Sequence, residues 1–480
     1  MSDSRKWDQL YIGGHWVEPA GSARITVTSP VTEEPFGSVP EATTEDVDRA
    51  VTAARAAFDD GEWPHLDPHD RADHLRRFGD IYASHLDEMA ELITGEMGSP
   101  ISFSHMGQAA GPRALIGLYA AMVDELAWEE ERVGLAGGRV LVRQEAVGVV
   151  GAIAPWNVPQ VAIMSKLAPA LLAGCAVVVK PSPETPLDAL LMAQWLDEAG
   201  FPEGVVSVLP GGREVGEHLV RSEGVDKIAF TGSTGAGRKI GAICGEALRR
   251  VSLELGGKSA AIVLEDADVE RTVAGLRFAS FMNSGQACAA QTRVLAPRSN
   301  YDEIVEAMAA MADSLVVGDP GDPATEIGPM VTQRQQQRVS GYIDIGRNEG
   351  ARVVSGGPGM PDGIDRGWYV KPTILAGDNS MRVAREEIFG PVIVVIPYTD
   401  ERDAIRIAND SDFGLAGSVW TGDKAHGLEV ARRIRTGTIG INKYGPDFVG
   451  PFGGYKASGI GREYGIEGLH EFLELKNIAP

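Results

Sequence analysis

One cysteine of this chain has the surroundings that a nucleophile needs. Cys288 lies in Asn283-Ser-Gly-Gln-Ala-Cys-Ala-Ala290, where small alanines leave room for an incoming carbonyl and Gly285 frees the backbone. A thiol that attacks a carbonyl requires that room and a nearby N–H to receive the oxyanion. Cys175 and Cys244 sit among apolar neighbours and read as small buried hydrophobes. Taken alone, Cys288 too would more often be structural than catalytic. Glu254 ends an apolar run, Val251-Ser-Leu-Glu-Leu-Gly-Gly-Lys258. A carboxylate in such company is either a paired structural charge or a base with a raised pKa, and the residues alone leave the two even. Asn157 is pinned between Pro155 and Pro159. A side-chain amide held rigid there can donate to an oxyanion, although a turn-forming asparagine is the commoner explanation.

Two further segments suit an anionic ligand. Lys180-Pro-Ser-Pro-Glu-Thr-Pro186 leaves an apolar run directly into a polar turn, with Ser182 at its centre. Phe230-Thr-Gly-Ser-Thr-Gly-Ala-Gly237 does the same, and Gly232 and its sister glycines let a phosphate approach backbone N–H groups at a helix start. This is not the G-x-G-x-x-G fingerprint, and glycine-rich turns alone are weak signals. A P-loop lysine, an H-E-x-x-H helix and paired C-x-x-C motifs are all missing, so no metal site is expected.

These residues must be positioned by regular elements. From residue 147 apolar runs read as buried strands at 147–153, 176–179, 205–209, 227–230, 251–255 and 260–264, with helical stretches at 158–172, 187–199 and 238–248. Strand and helix in alternation predict a parallel sheet covered on both faces, with ligands at the carboxyl ends of its strands. The segments singled out above are those strand exits. Upstream, a helix is predicted from 44 to 58 with a capping-box start at Thr43 and Asp46. Alternation at 139–143 after Gly137-Gly138 predicts a hairpin arm. A second α/β stretch follows Gly256, with helices at 301–315 and 332–349 and a strand at 392–397.

The 480 residues are too many for one ordinary core. Lys and Arg total 44 against 67 Asp and Glu, a formal charge of -23 that disfavours nucleic acid and anionic membranes as partners. The stretch 147–179 is long and apolar, but prolines, Asn157 and Lys166 interrupt it, so it is expected as buried core. No apolar run follows the first basic residues, so no leader is expected. Only 3 cysteines in this length make no disulfide framework and point to a reducing, cytoplasmic location.

In chain order, Pro155-Trp-Asn157, Phe230-Thr-Gly-Ser233, Leu253-Glu-Leu-Gly-Gly-Lys258, the Gly-Gln-x-Cys setting of Cys288, Glu386-Glu-Ile-Phe-Gly-Pro391 and Pro451-Phe-Gly-Gly-Tyr-Lys-Ala-Ser-Gly459 together resemble the aldehyde dehydrogenase superfamily. The resemblance runs over essentially the whole chain. It implies an α/β fold: a Rossmann-type dinucleotide-binding domain (1–127 and 148–255), an α/β catalytic domain (256–467), and a small β oligomerisation element (128–147 and 468–480). It implies a homodimer or homotetramer that oxidises an aldehyde to a carboxylate. Cys288 would attack the aldehyde, and the Asn157 amide with the Cys288 N–H would hold the oxyanion. Glu254 would activate the water that hydrolyses the thioester, with Lys166 and Glu463 along a proton path. For the cofactor, it assigns Lys180 to the adenosine ribose, Ser233 to the pyrophosphate and Glu387 to the nicotinamide ribose, with Trp156 and Phe389 packed nearby.

The chain departs from the family in one place. Many members carry a ribose-binding glutamate where this one has Pro183, with Glu184 next to it. NAD is therefore expected as the preferred cofactor, with NADP possible. Val158, Ala162 and Ser165 fall on one helix face before Lys166 and are all small, with Phe452 as an opposing aromatic wall. They predict a wide apolar tunnel for bulky aldehydes. Two alternatives compete with hydrolytic oxidation. An acylating enzyme that hands the thioester to coenzyme A tends to lack the water-activating glutamate, which Glu254 supplies. A silent structural relative would have lost the nucleophile, the amide or the base, and all are present.

Overall fold

A computed structural model describes residues 5–445 and 447–479. The first four residues, on which the expectation of no leader partly rests, lie outside the described ones. The alternating run forms most of an eight-stranded sheet. Its order is Gly459–Ile460, Arg250–Glu254, Lys227–Thr231, Val149–Ile153, Ala176–Lys180, Val206–Val208, Leu10–Ile12 and His15–Val17. From Arg250–Glu254 to Val206–Val208 the strands are parallel, whereas Gly459–Ile460 and Leu10–Ile12 join antiparallel at either side. After Val149–Ile153 the chain first winds to one side, then returns to place Lys227–Thr231 on the other. That reversal opens a crevice at the carboxyl ends, where dinucleotides bind in Rossmann-type sheets.

The apolar stretch 147–179 resolves into a strand, the helix Pro159–Ala173 and a second strand. Within the helix only Val161 keeps partial exposure, so it is apolar all round because it is buried all round. Pro159 starts it at no hydrogen-bonding cost, and Gly174, at φ 99°, ends it in the left-handed conformation. Among the described residues no helix is long and apolar enough to cross a membrane. The helix Thr44–Asp59 opens with the reciprocal Thr43–Asp46 capping box.

The last apolar run of the series, Ala260–Val263, crosses into a second sheet of seven strands. Its order is Arg352–Ser355, Thr373–Ala376, Val392–Tyr398, Arg293–Pro297, Ala260–Val263, Gly417–Trp420 and Gly440–Ile441. All neighbours are parallel except the first pair. The span 256–467 does not stay with this sheet as expected. Gly459–Ile460 returns to the edge of the first sheet and pairs antiparallel with Leu253 and Glu254.

The arm is a three-stranded antiparallel sheet of Glu129–Val133, Arg139–Ala146 and Leu473–Ile478. It is tied to the first sheet through Glu471, which accepts from Lys227 Nζ at 3.1 Å and from the Arg462 N–H at 3.2 Å.

Candidate active site

The strand exits and the loop before Cys288 converge on one cavity of about 440 Å³. Asn157 and Val158 enter it from the turn after Val149–Ile153, while Gly232 and Ser233 follow Lys227–Thr231. Glu254 is the last residue of its strand, in register beside Thr231. Cys288, Glu387 and Phe389 close the cavity from the second sheet's side.

The approach to Cys288 is an unusual piece of backbone. Asn283, Ser284 and Gly285 are consecutive left-handed residues, at φ 51°, 59° and 73°. Two of them carry side chains, which makes this turn costly in isolation. It is held from outside: Ser284 Oγ accepts from the Gly328 N–H at 2.8 Å, and Gln286 Oε1 accepts from the Val331 N–H at 3.0 Å. At Gly285 a Cβ would lie 2.4 Å from the Gly390 carbonyl, so no larger residue fits. The turn presents Cys288 half-buried at the cavity, whereas Cys175 and Cys244 are fully buried.

The electrostatics are those of a resting thiol. Burial pushes Cys288 up to about 12, reinforced by the negative charges of Glu387, Glu254 and Glu463, and only its own N–H opposes them. Glu254 is held well above the usual carboxylate range by burial first and by Glu463 second. Neither of its oxygens has a hydrogen-bond partner among the described residues. Gly453 makes this possible, since a Cβ there would lie 2.7 Å from Glu254 Oε1. A buried, uncommitted carboxyl is equipped to take up a proton. Asn157 Nδ2 donates to the Gln286 carbonyl at 3.0 Å, which fixes one of its two hydrogens and leaves the other. Lys166 Nζ donates to Glu463 Oε1 at 2.6 Å and to Thr231 Oγ at 2.6 Å, and reaches the Ala162 carbonyl at 3.0 Å.

The residues suit a dinucleotide. Beside Lys180 lies a cavity of about 450 Å³ walled by Ile153, Val220, Phe230, Ile240 and Ile243, an apolar slot between the helices Arg213–Arg221 and Thr234–Glu246. The Lys180 ammonium, lowered to about 8 by burial, donates among the described residues to the neighbouring Pro181 carbonyl at 2.9 Å. Ser233 caps the helix Thr234–Glu246, whose N-terminus faces the crevice, with its oxygen accepting from the Ala236 N–H. At the far end Glu387 Oε1 accepts from the Gly257 N–H at 2.9 Å, and a Cβ on Gly256 would fall 2.5 Å from its other oxygen. Trp156 and Phe389 meet edge-on at 5.3 Å between centroids. Ser182 is turned away, its hydroxyl given to Glu184, which also faces Arg334 at 3.6 Å.

The substrate face differs from the sequence expectation. Val158 borders the cavity, but Ala162 and Ser165 are buried, and Ser165 Oγ donates to the Ala162 carbonyl at 3.0 Å. Apart from Val161 the helix is enclosed, so its spacing selects no open face. Its partly exposed residue is Val161, which lies with Phe448 beside Gly111. Phe452 is buried against Tyr464 at 5.4 Å, and its backbone exchanges 2.7 Å hydrogen bonds with Glu463. Sequence reasoning also missed Thr231, although it stands in the Phe-Thr-Gly-Ser motif at a strand exit. For the apolar slot no sequence signal exists, because two separate helices build it.

The aldehyde dehydrogenase family model matches residues 16–478. A geranial dehydrogenase of Castellaniella defragrans is 47% identical over 98% of this chain and 98% of its own. A 3-succinoylsemialdehyde-pyridine dehydrogenase of a Pseudomonas species is 42% identical over 99% of this chain and 98% of its own. Among solved structures, a Mycobacterium tuberculosis aldehyde dehydrogenase complexed with NAD+ superposes with a TM-score of 0.98 at 48% identity, covering 100% of this chain and 99% of that one. Aldehyde dehydrogenase C of Pseudomonas syringae, a mutant with NAD+ and octanal, gives 0.95 at 39% identity, over 98% and 96% of the two chains.

Proposed function

The chain belongs to the aldehyde dehydrogenase family and is an NAD(P)-dependent aldehyde oxidoreductase, and from that premise we propose that Cys288, Asn157 and Glu254 carry its chemistry. The observation that supports this reading is their convergence on a single cavity with Glu387 at its rim. NAD(P)+, held by Lys180, Ser233 and Glu387, would supply the hydride acceptor. Cys288 passes its thiol proton to Glu254, its Sγ forms a bond to the aldehyde carbon as the carbonyl π bond breaks, and the free hydrogen of Asn157 Nδ2 receives the developing oxyanion. Once the hydride has left the substrate, an acyl group remains as a thioester on Cys288. Glu254 takes a proton from water, the resulting hydroxide adds to the thioester, and the carboxylate departs as the C–S bond breaks. Glu463 and Lys166 lead the proton away from Glu254.

Lys180 binds the adenosine ribose of the cofactor, Ser233 the pyrophosphate and Glu387 the nicotinamide ribose. The substrate is a bulky apolar aldehyde that approaches past Val158, Val161 and Phe448, with Phe452 and Tyr464 behind them. Assembly as a homodimer or homotetramer has support from the arm, an exposed sheet with open edges that presents Val133, Leu135 and Leu475 to solvent. The free cysteines favour a reducing, cytoplasmic setting. The test is replacement of each cysteine: Cys288→Ala abolishes aldehyde-dependent cofactor reduction, while Cys175→Ala and Cys244→Ala keep most of it. Full activity in the Cys288 variant refutes the assignment.

A further inference from the structure

Asn157 is held at three points, and two of them involve residues remote from the reacting atoms. Its backbone carbonyl accepts from Gln108 Nε2 at 2.9 Å and from Asn283 Nδ2 at 2.8 Å. Its own Nδ2 donates to the Gln286 carbonyl, which Asn283 Nδ2 also approaches at 3.3 Å. Asn283 thus bridges the carbonyls on either side of the oxyanion site, and Gln108 braces one of them from behind.

Both braces are fully enclosed, and each has an amide oxygen with no partner among the described residues. Leaving a buried oxygen unpaired is unfavourable, so these amides are not there to satisfy themselves. Gln108 comes from a π-helical turn, Ser104–Ala109, set between two α-helical segments. Such turns are sparsely used and frequent at functional sites. Asn283 is the first residue of the left-handed turn before Cys288. Two irregular backbone segments therefore direct their amides at one carbonyl.

We propose that Gln108 and Asn283 are positioning residues for the oxyanion site: they fix the Asn157 backbone so that its one uncommitted N–H points at the aldehyde oxygen. The inference rests on the role given above to Asn157. An oxyanion donor works only when held close to its productive geometry.

Single-turnover cofactor reduction tests this in Gln108→Met, Asn157→Ala and the double variant, with NAD affinity and thermal melting followed in parallel. Met matches the volume of Gln and donates nothing. The expected result is an acylation rate lowered on the order of tenfold by Gln108→Met in the wild-type background. In the Asn157→Ala background the same change has less than about a twofold effect, since coupled residues are not additive. Equal slowing in both backgrounds overturns the proposal, as does no slowing in either. If Asn157→Ala itself leaves acylation untouched, the oxyanion role falls, and this inference with it. Gln108→Glu adds a pH readout: the buried acid donates to the Asn157 carbonyl, whereas its carboxylate cannot. The Gln108→Glu rate relative to wild type should fall as pH rises, and a flat ratio well below one counts against a donor role.

Discussion

Lys166 and Glu463, separated by 297 residues in the chain, meet in an ion pair of 2.6 Å that also takes in Thr231, a residue of the active-site cavity wall. Glu254, without a hydrogen-bond partner among the described residues, is held above the usual carboxylate range by burial first and by the charge of Glu463 second, with Lys166 pulling the other way. Lys166 gives its hydrogen bonds to Glu463, Thr231 and the Ala162 carbonyl.

Glu254→Gln should stall the protein after hydride transfer, because an amide cannot take a proton from water. A burst of reduced cofactor is expected, then slow turnover, with an acyl adduct on Cys288 in the intact mass. Normal turnover without an adduct would assign the base to another group.

The pH dependence of Cys288 follows from its raised pKa. A thiol near 12 is almost wholly protonated at neutrality, and its thiolate fraction grows about tenfold per pH unit until that value is reached. Alkylation of the cofactor-free protein by iodoacetamide should accelerate accordingly from pH 7 to pH 9, with modification confined to Cys288. A plateau near neutrality would mean that an unseen cation lowers the thiol.

Cofactor preference turns on Glu184. Its carboxylate accepts from the Ser182 hydroxyl, one residue from Pro183, so a 2′-phosphate arriving there meets negative charge. Steady-state kinetics should give NAD the higher kcat/KM, with NADP activity measurable because Pro183 replaces the usual glutamate. A strict requirement for NADP would reverse this reading.

Aldehyde size is tested best at Val161, the partly exposed residue of its helix. Wild type should favour hexanal and a bulky aromatic aldehyde over acetaldehyde by well over tenfold in kcat/KM, at about 0.8 kcal/mol for each buried methylene. Val161→Trp should erode that ratio mainly through the bulky substrate. Preference for acetaldehyde in the wild type would place the tunnel elsewhere.

The sequence was most legible where local chemistry and backbone pattern agree. Cys288 among alanines, Glu254 closing a strand and Asn157 between prolines all meet in one cavity, and the helix Leu187–Ala199 has the bounds its pattern predicts. Legibility failed where position depends on what packs from far away in the chain. Ala162 and Ser165 share a helical face, yet a helix enclosed apart from Val161 gives periodicity nothing to distinguish. Gln108 looks like any polar residue of a helix until the π turn directs it at Asn157. The return of Gly459–Ile460 to the first sheet is likewise set by tertiary pairing, for two residues are too short to announce a strand.

The left-handed turn at Asn283 and Ser284 bears on any effort to make this protein more robust. Each such residue costs about 1–2 kcal/mol against the right-handed default, so replacing either by glycine is an obvious route to a higher melting temperature. Those same substitutions would delete the Asn283 amide that spans two carbonyls and the Ser284 hydroxyl that receives Gly328. The strain relieved at either residue is of the same order as the buried hydrogen bonding given up, about 1–2 against about 1–3 kcal/mol, so the side chains that make the turn costly are also the ones that hold it together.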